Sequence, residues 1–155
     1  MNDWSKIIEV RWADVDVNQH LRHSAFADYA THVRVEWLKQ NGLGPARLAQ
    51  LMVGPVITEE RTQYFKEIRM SERVRVDLAL AGLSDDGHRY FFRQHFYKED
   101  GRLAARYEIH GLWMDLRTRK RTVPPDGLVQ LAAALPRTDD FTTLPRLETK
   151  AAGPE

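Results

Sequence analysis

Asp14-Val15-Asp16-Val17-Asn18-Gln19-His20-Leu21-Arg22-His23 is the stretch on which the reading of this chain turns. Upstream of it, residues 7–12 alternate, with Ile8, Val10 and Trp12 on one face, the pattern of a half-buried strand. Downstream the period changes. Phe26, Ala30, Val33 and Trp37 fall at helical spacing, and Tyr29 and Leu38 widen the apolar stripe. Ser24 is the expected N-cap and Asn41-Gly42 the expected stop, for a helix of about 17 residues or ~25 Å. A strand that ends in a dense polar connector and passes directly into a long amphipathic helix is therefore expected.

The rest of the chain reads as strands. An apolar segment from Pro45 to Met52 leads through Gly54-Pro55 into them. Val74, Val76, Leu78 and Leu80 alternate with polar neighbours, and Ser84-Asp85-Asp86-Gly87 and Lys98-Glu99-Asp100-Gly101 read as hairpin turns. Between the turns lies an aromatic-rich strand from His88 to Tyr97, and after them a long strand from about Leu103 to Leu116. Pro124-Pro125-Asp126 opens a short helix over 128–135, and the segment 136–155, polar with Pro145 and Pro154, is expected to fray or drape over the surface. One early helix and at least three strands in hairpin order predict an α+β domain over 1–135, its helix packed on a curled antiparallel sheet.

Composition narrows the function. The chain has 155 residues and no cysteine, which excludes a disulfide scaffold, a cysteine-ligated metal and a thiol nucleophile. Lys plus Arg total 23 against 22 acidic residues, so no net charge of +1 draws the chain to nucleic acid. No apolar run approaches the ~20 residues of a membrane span, and the start Met1-Asn2-Asp3-Trp4-Ser5-Lys6 has no apolar signal core. A soluble, cytoplasmic domain is expected.

Chemistry concentrates in 14–23, where two carboxylates, two imidazoles and amide side chains precede a helix. The first helical amides have no intrahelical partner and carry the positive end of the dipole, so they can receive a developing oxyanion. A carboxylate just upstream can act as general base or nucleophile. The same composition also suits a polar connector with Asp and Asn caps, and spacing alone leaves both readings open.

The segment from Val10 to Leu38 resembles the opening of a hot-dog-fold thioesterase of the 4-hydroxybenzoyl-CoA thioesterase-like group: a strand, an Asp-x-Asp pair, a Gln-His step, then an apolar helix. Asp16-Val17-Asn18-Gln19-His20 is also similar to acyl-carrier-protein thioesterases. The resemblance covers about residues 5–135 and implies a hot-dog fold, a curled antiparallel sheet wrapped around one central helix. It implies Asp16 as the catalytic carboxylate, with Asn18 and His20 orienting it or the water. His23, Ser24 and Glu67 are implied at the substrate, His23 and Ser24 at the helix end that would polarise the carbonyl.

Glu67 falls where plant enzymes carry Glu-Cys, and Ile68 stands in place of that cysteine, so no thiol role carries over. Gln19 replaces a common glycine, and Arg22-His23 replaces Asn-Asn. The implied reaction is hydrolysis of an acyl-CoA or acyl-carrier-protein thioester with no cofactor beyond the coenzyme A of the substrate and no metal. A homodimer, or a tetramer of dimers, is implied, with Asp16 of one chain meeting Glu67 of the other. Two rival functions stand against this hydrolysis: an acyl-thioester-binding module without turnover, and a hot-dog hydratase or dehydratase, whose Asp/His pair stands in a sequence context that this chain lacks.

His32 and Arg34 in the helix, and His88, His95 and His110 on strands, read as surface or core residues. The basic run Arg117, Arg119, Lys120, Arg121 reads as a solvated strand end, with coenzyme A phosphate contact as the alternative, and the same holds for Lys66, Arg69, Arg73 and Arg75. The aromatics Tyr90, Phe91, Phe92, Phe96 and Tyr97 read as core and interface.

Overall fold

The computed structural model describes residues 4–148. The chain runs β1 (Trp4–Glu9), a short 3-10 turn (Trp12–Asp14), α1 (His23–Gln40), α2 (Pro45–Gln50), β2 (Val53–Tyr64), β3 (Arg73–Ser84), β4 (Arg89–Tyr97), β5 (Leu103–Asp115), α3 (Asp126–Ala133) and β6 (Arg137–Leu144). The sheet order is β1-β3-β4-β5-β2, antiparallel throughout, with β6 added parallel to β3. It wraps α1, which gives the hot-dog architecture expected of the sequence.

α1 forms where the periodicity placed it, because Phe26, Ala30, Val33 and Trp37 are all buried on its sheet-facing side. Its end follows the expected chemistry: Asn41 Nδ2 donates to the Trp37 carbonyl at 2.8 Å, and Gly42 takes φ +74°. Its start differs. Arg22 is the N-cap and makes no side-chain cap bond, while Ser24 is the second helical residue and its hydroxyl accepts from Arg22 Nη1 at 2.6 Å. Trp12 departs from the expected strand as well: the strand stops at Glu9, and Trp12 is 79% exposed on the short turn.

On the inner face of the sheet, Val74, Val76, Leu78 and Leu80 of β3 meet Tyr90, Phe92 and Phe96 of β4 around α1. The expected tail is the larger correction. Residues 137–144 form β6, which pairs with Leu80–Ser84 in the second half of β3, beyond the half occupied by β1. Phe141 packs on the core, and Arg93 of β4 grips Asp140 through two hydrogen bonds of 2.7 and 3.0 Å. The sequence Arg137–Leu144 carries no period-two alternation, so it reads as polar, and most of its side chains are exposed. Residues 145–148 follow β6 without regular structure, and the rest of that tail, 149–155 with Pro154, lies outside the described residues, as do residues 1–3.

Candidate active site

The connector from β1 to α1 is a small closed loop. Val15 and Leu21 pair as an isolated bridge, and the Asp16 N–H donates to the His20 carbonyl at 2.8 Å. Inside the loop the Asp16 carboxylate accepts the backbone N–H of Asn18 at 2.8 Å and of His20 at 3.2 Å through Oδ1. The loop closes tightly enough to hold Gln19 at φ +63°, a left-handed conformation in which a side chain costs ~1 kcal/mol and glycine almost nothing. That is the physical reason a glycine suits this position.

A second segment presses against the loop. After β2 ends, Leu21 N–H donates to the Ile68 carbonyl at 2.6 Å, and His20 bridges to Arg69. Ile68 is buried, which turns the flanking Glu67 outward beside the loop. His20 Nε2 lies 2.8 Å from Glu67 Oε2, and Arg69 Nη2 donates to Glu67 Oε1 at 2.7 Å. The Arg69 guanidinium, chiefly, and His20 after it hold the Glu67 carboxyl below its ordinary range.

Asp16, His20, His23 and Glu67 line one open cleft of about 400 Å³, floored by Phe26, Tyr64 and Ile68. Phe26 and Tyr64 meet edge to face with centroids 5.1 Å apart. The start of α1 opens into this cleft at His23. Four of the six expected site residues thus stand together. Asn18 and Ser24 do not line the cleft: Asn18 contributes its backbone N–H to Asp16, and Ser24 is engaged by Arg22. Asp16 and Glu67 share the cleft within a single chain, so the expected pairing of these two across a dimer is not needed to bring them together.

The other carboxylate of the Asp-x-Asp pair, to which the sequence assigns no role of its own, does not line the cleft. Asp14 is 3% exposed and accepts from the Tyr29 hydroxyl at 2.8 Å and from Arg11 Nε at 2.8 Å. Arg11 depresses the Asp14 carboxyl; burial, with Asp14 beside it, pushes the Tyr29 phenol up to about 12. Tyr29 lies fifteen residues from Asp14, and only its place on the buried stripe of the helix signalled that its hydroxyl would need a partner. The basic run 117–121 sits past the other end of β5, beside the start of β2, eleven strand residues or about 35 Å along the strand from Tyr64.

Among the described residues, no group of three or more His, Asp or Glu side chains is placed to hold a metal ion, and no helix is long and apolar enough to cross a membrane.

A long helix cradled by one curled sheet, with its N-terminus facing a carboxylate cleft, defines a hot-dog domain of the thioesterase type. The model of the thioesterase-like superfamily matches residues 10–133, and the chain belongs to that family. Among solved structures it is similar to a hypothetical protein from Staphylococcus aureus characterised in complex with CoA, at 20% identity and TM-score 0.79, over 96% of this chain and 89% of that one. It is similar also to a 1,4-dihydroxy-2-naphthoyl-CoA thioesterase from Synechocystis, at 18% identity and TM-score 0.77, over 86% and 98%. A hypothetical protein from Thermus thermophilus matches at 26% identity and TM-score 0.76, over 84% and 98%. No curated protein matches the chain by sequence.

Proposed function

We propose that the protein hydrolyses an acyl thioester, carried on coenzyme A or on acyl-carrier protein, to the free acid and thiol. The observation that carries this reading is the meeting of Asp16, His20, Glu67 and the start of α1 in one cleft. The thioester carbonyl sits over the first turn of α1, whose unpaired N–H groups near His23 and Ser24 receive the oxyanion. Asp16 takes a proton from water as the water oxygen adds to the carbonyl carbon; the C–S bond then breaks and the thiolate leaves with that proton. Where Asp16 adds itself, the C–S bond breaks to leave the acyl group on Asp16 as a mixed anhydride, and a water then cleaves it, giving one proton to the thiolate and releasing the free acid and the Asp16 carboxylate. His20, held by Glu67, orients the attacking group, and the Asn18 backbone fixes the Asp16 carboxylate. A cytoplasmic setting belongs to this reading, supported by a chain without cysteine. So does catalysis without a cofactor.

The test is thiol release from a panel of acyl-CoA and acyl-carrier-protein thioesters. With no cysteine in the chain, a thiol-reactive dye registers only carrier thiol. Wild type turns over, and Asp16→Asn loses roughly 10²- to 10⁴-fold. Unchanged turnover in Asp16→Asn defeats the assignment of the carboxylate, and stoichiometric binding without release makes the protein a binding module.

A homodimer, or a tetramer built from such dimers, forms part of the same proposal. β2 is a twelve-residue strand at the sheet's edge, and Ile57, Tyr64 and the adjoining Phe65 are exposed along it. Glu59, Glu60 and Arg61 charge the middle of that edge, while exposed apolar residues such as those toward its two ends are of the kind a partner covers. Light scattering at micromolar concentration is expected to give at least twice the chain mass; a monomer overturns this.

A further inference from the structure

At the far end of α1 from the cleft lies a second cavity, and it is of a different kind. It holds about 170 Å³, the size that accepts one benzene-sized group. Its walls are apolar, chiefly Trp37, Tyr90, Phe92 and Trp113, closed by Leu128 and Ala132 of α3. One charged side chain enters it. Arg34 is 9% exposed and lines the cavity from α1.

Taking a guanidinium from water costs several kcal/mol unless charge answers charge. Arg34 has no such answer: among the described residues no carboxylate lies within ion-pair distance of it. Its Nη1 donates to the Gln94 Oε1 at 2.8 Å and Nη2 to the Thr31 hydroxyl at 2.9 Å, and the group stands 5.7 Å from the Tyr107 ring. All three partners are neutral. Glu60, the carboxylate whose field reaches Arg34, is taken by the Tyr107 hydroxyl at 2.8 Å. Burial, chiefly, holds the Arg34 guanidinium below its ordinary range.

The two pockets have no lining residue in common, but both lie along the same helix and the same strand. Along α1, His23 and Phe26 face the cleft, Thr31, Arg34 and Leu38 the cavity, with the small Ala27 and Ala30 between. Along β2, Tyr64 faces the cleft and Ile57 the cavity, with Thr62 and Glu60 between in register. From His23 to Arg34 is eleven residues, or about 16 Å along the axis, the reach of an extended chain of about twelve carbons.

We propose that this cavity receives the distal end of the acyl chain and that Arg34 selects a chain ending in a carboxylate: the monothioester of an α,ω-dicarboxylic acid. The proposal rests on the thioesterase reading for its substrate, and on the Arg34 cavity alone for its specificity. A methyl terminus leaves the guanidinium without a counter-charge; a carboxylate there gains charge-assisted hydrogen bonds in a largely apolar site.

Two measurements test it independently. The first is binding of the free dicarboxylic acid of that length against the matching monocarboxylic acid, read by the fluorescence of Trp37 and Trp113 in the wild-type protein. The second is kcat/KM for the two corresponding CoA thioesters. The dicarboxylic member of each pair is favoured by about tenfold or more, the scale of one hydrogen bond to a charged group. Arg34→Gln collapses that ratio. Ala132→Leu, which fills the cavity from α3 and leaves the Arg34 bonds intact, weakens both long acids and keeps the fold should Arg34→Gln not survive. Equal binding of the two acids, or a preference that persists in Arg34→Gln, overturns the proposal. Dicarboxylate binding without turnover of any thioester upholds it while the thioesterase reading falls.

Discussion

The connector ahead of α1 has an inner and an outer side, and each holds one carboxylate of the same Asp-Val-Asp pair. On the inner side Asp14 is buried, bonded to Tyr29 and Arg11, and fixes the strand end to the helix. On the outer side Asp16 is exposed, bonded to the backbone of its own loop, and faces the cleft with His20 and Glu67. Identical side chains two residues apart therefore do opposite work. A buried carboxylate with its acceptor sites filled is a structural fixture. A solvent-facing one, oriented by a rigid loop, is free to react.

Exchanging those roles by mutation is the sharpest way to break the contrast. Asp14→Asn removes the charge that answers Arg11 and is expected to lower unfolding free energy by about 2–3 kcal/mol, measured by urea denaturation. The same clamp sets an acid limit. Because its folded carboxyl lies below the unfolded value of about 3.9, the stabilisation is complete above that pH and is lost as pH falls through the folded value. Wild type therefore destabilises on acidification below about pH 4 by more than Asp14→Asn does. Gln19→Gly relieves the left-handed residue and should raise stability by up to about 1 kcal/mol, less the entropy of a freer unfolded chain. Asp16→Asn, which keeps an oxygen for both loop amides, should stay within about 0.5 kcal/mol of wild type. A large loss there would mean that Asp16, like Asp14, is part of the frame.

What the sequence made legible follows the range of the forces involved. α1, the hairpin turns and the loop motif depend on residues close along the chain, so period and spacing exposed them. The pairing of His20 with Glu67 spans 47 positions, and only the resemblance hinted at it. Asp14–Tyr29 and Arg34–Gln94 were missed because a polar side chain on an apolar stripe reads as noise until its distant partner is known. Arg34 did carry a signal: an arginine at helical spacing from Ala30 and Trp37 stands on the buried face. β6 is not legible because its two apolar residues, Phe141 and Leu144, stand three apart and give no alternation to detect.

That last strand bears on how the chain is made. β1 and β6 lie end to end along a single edge of β3, the first against Arg73–Leu78 and the second against Leu80–Ser84. As the chain leaves the ribosome, the first half of that edge finds its partner already synthesised. The second half waits until residue 144 has been added, some sixty residues after its own synthesis. Over that interval the nascent domain presents a short open edge, the kind of surface on which a chaperone, or a neighbouring nascent copy, acts.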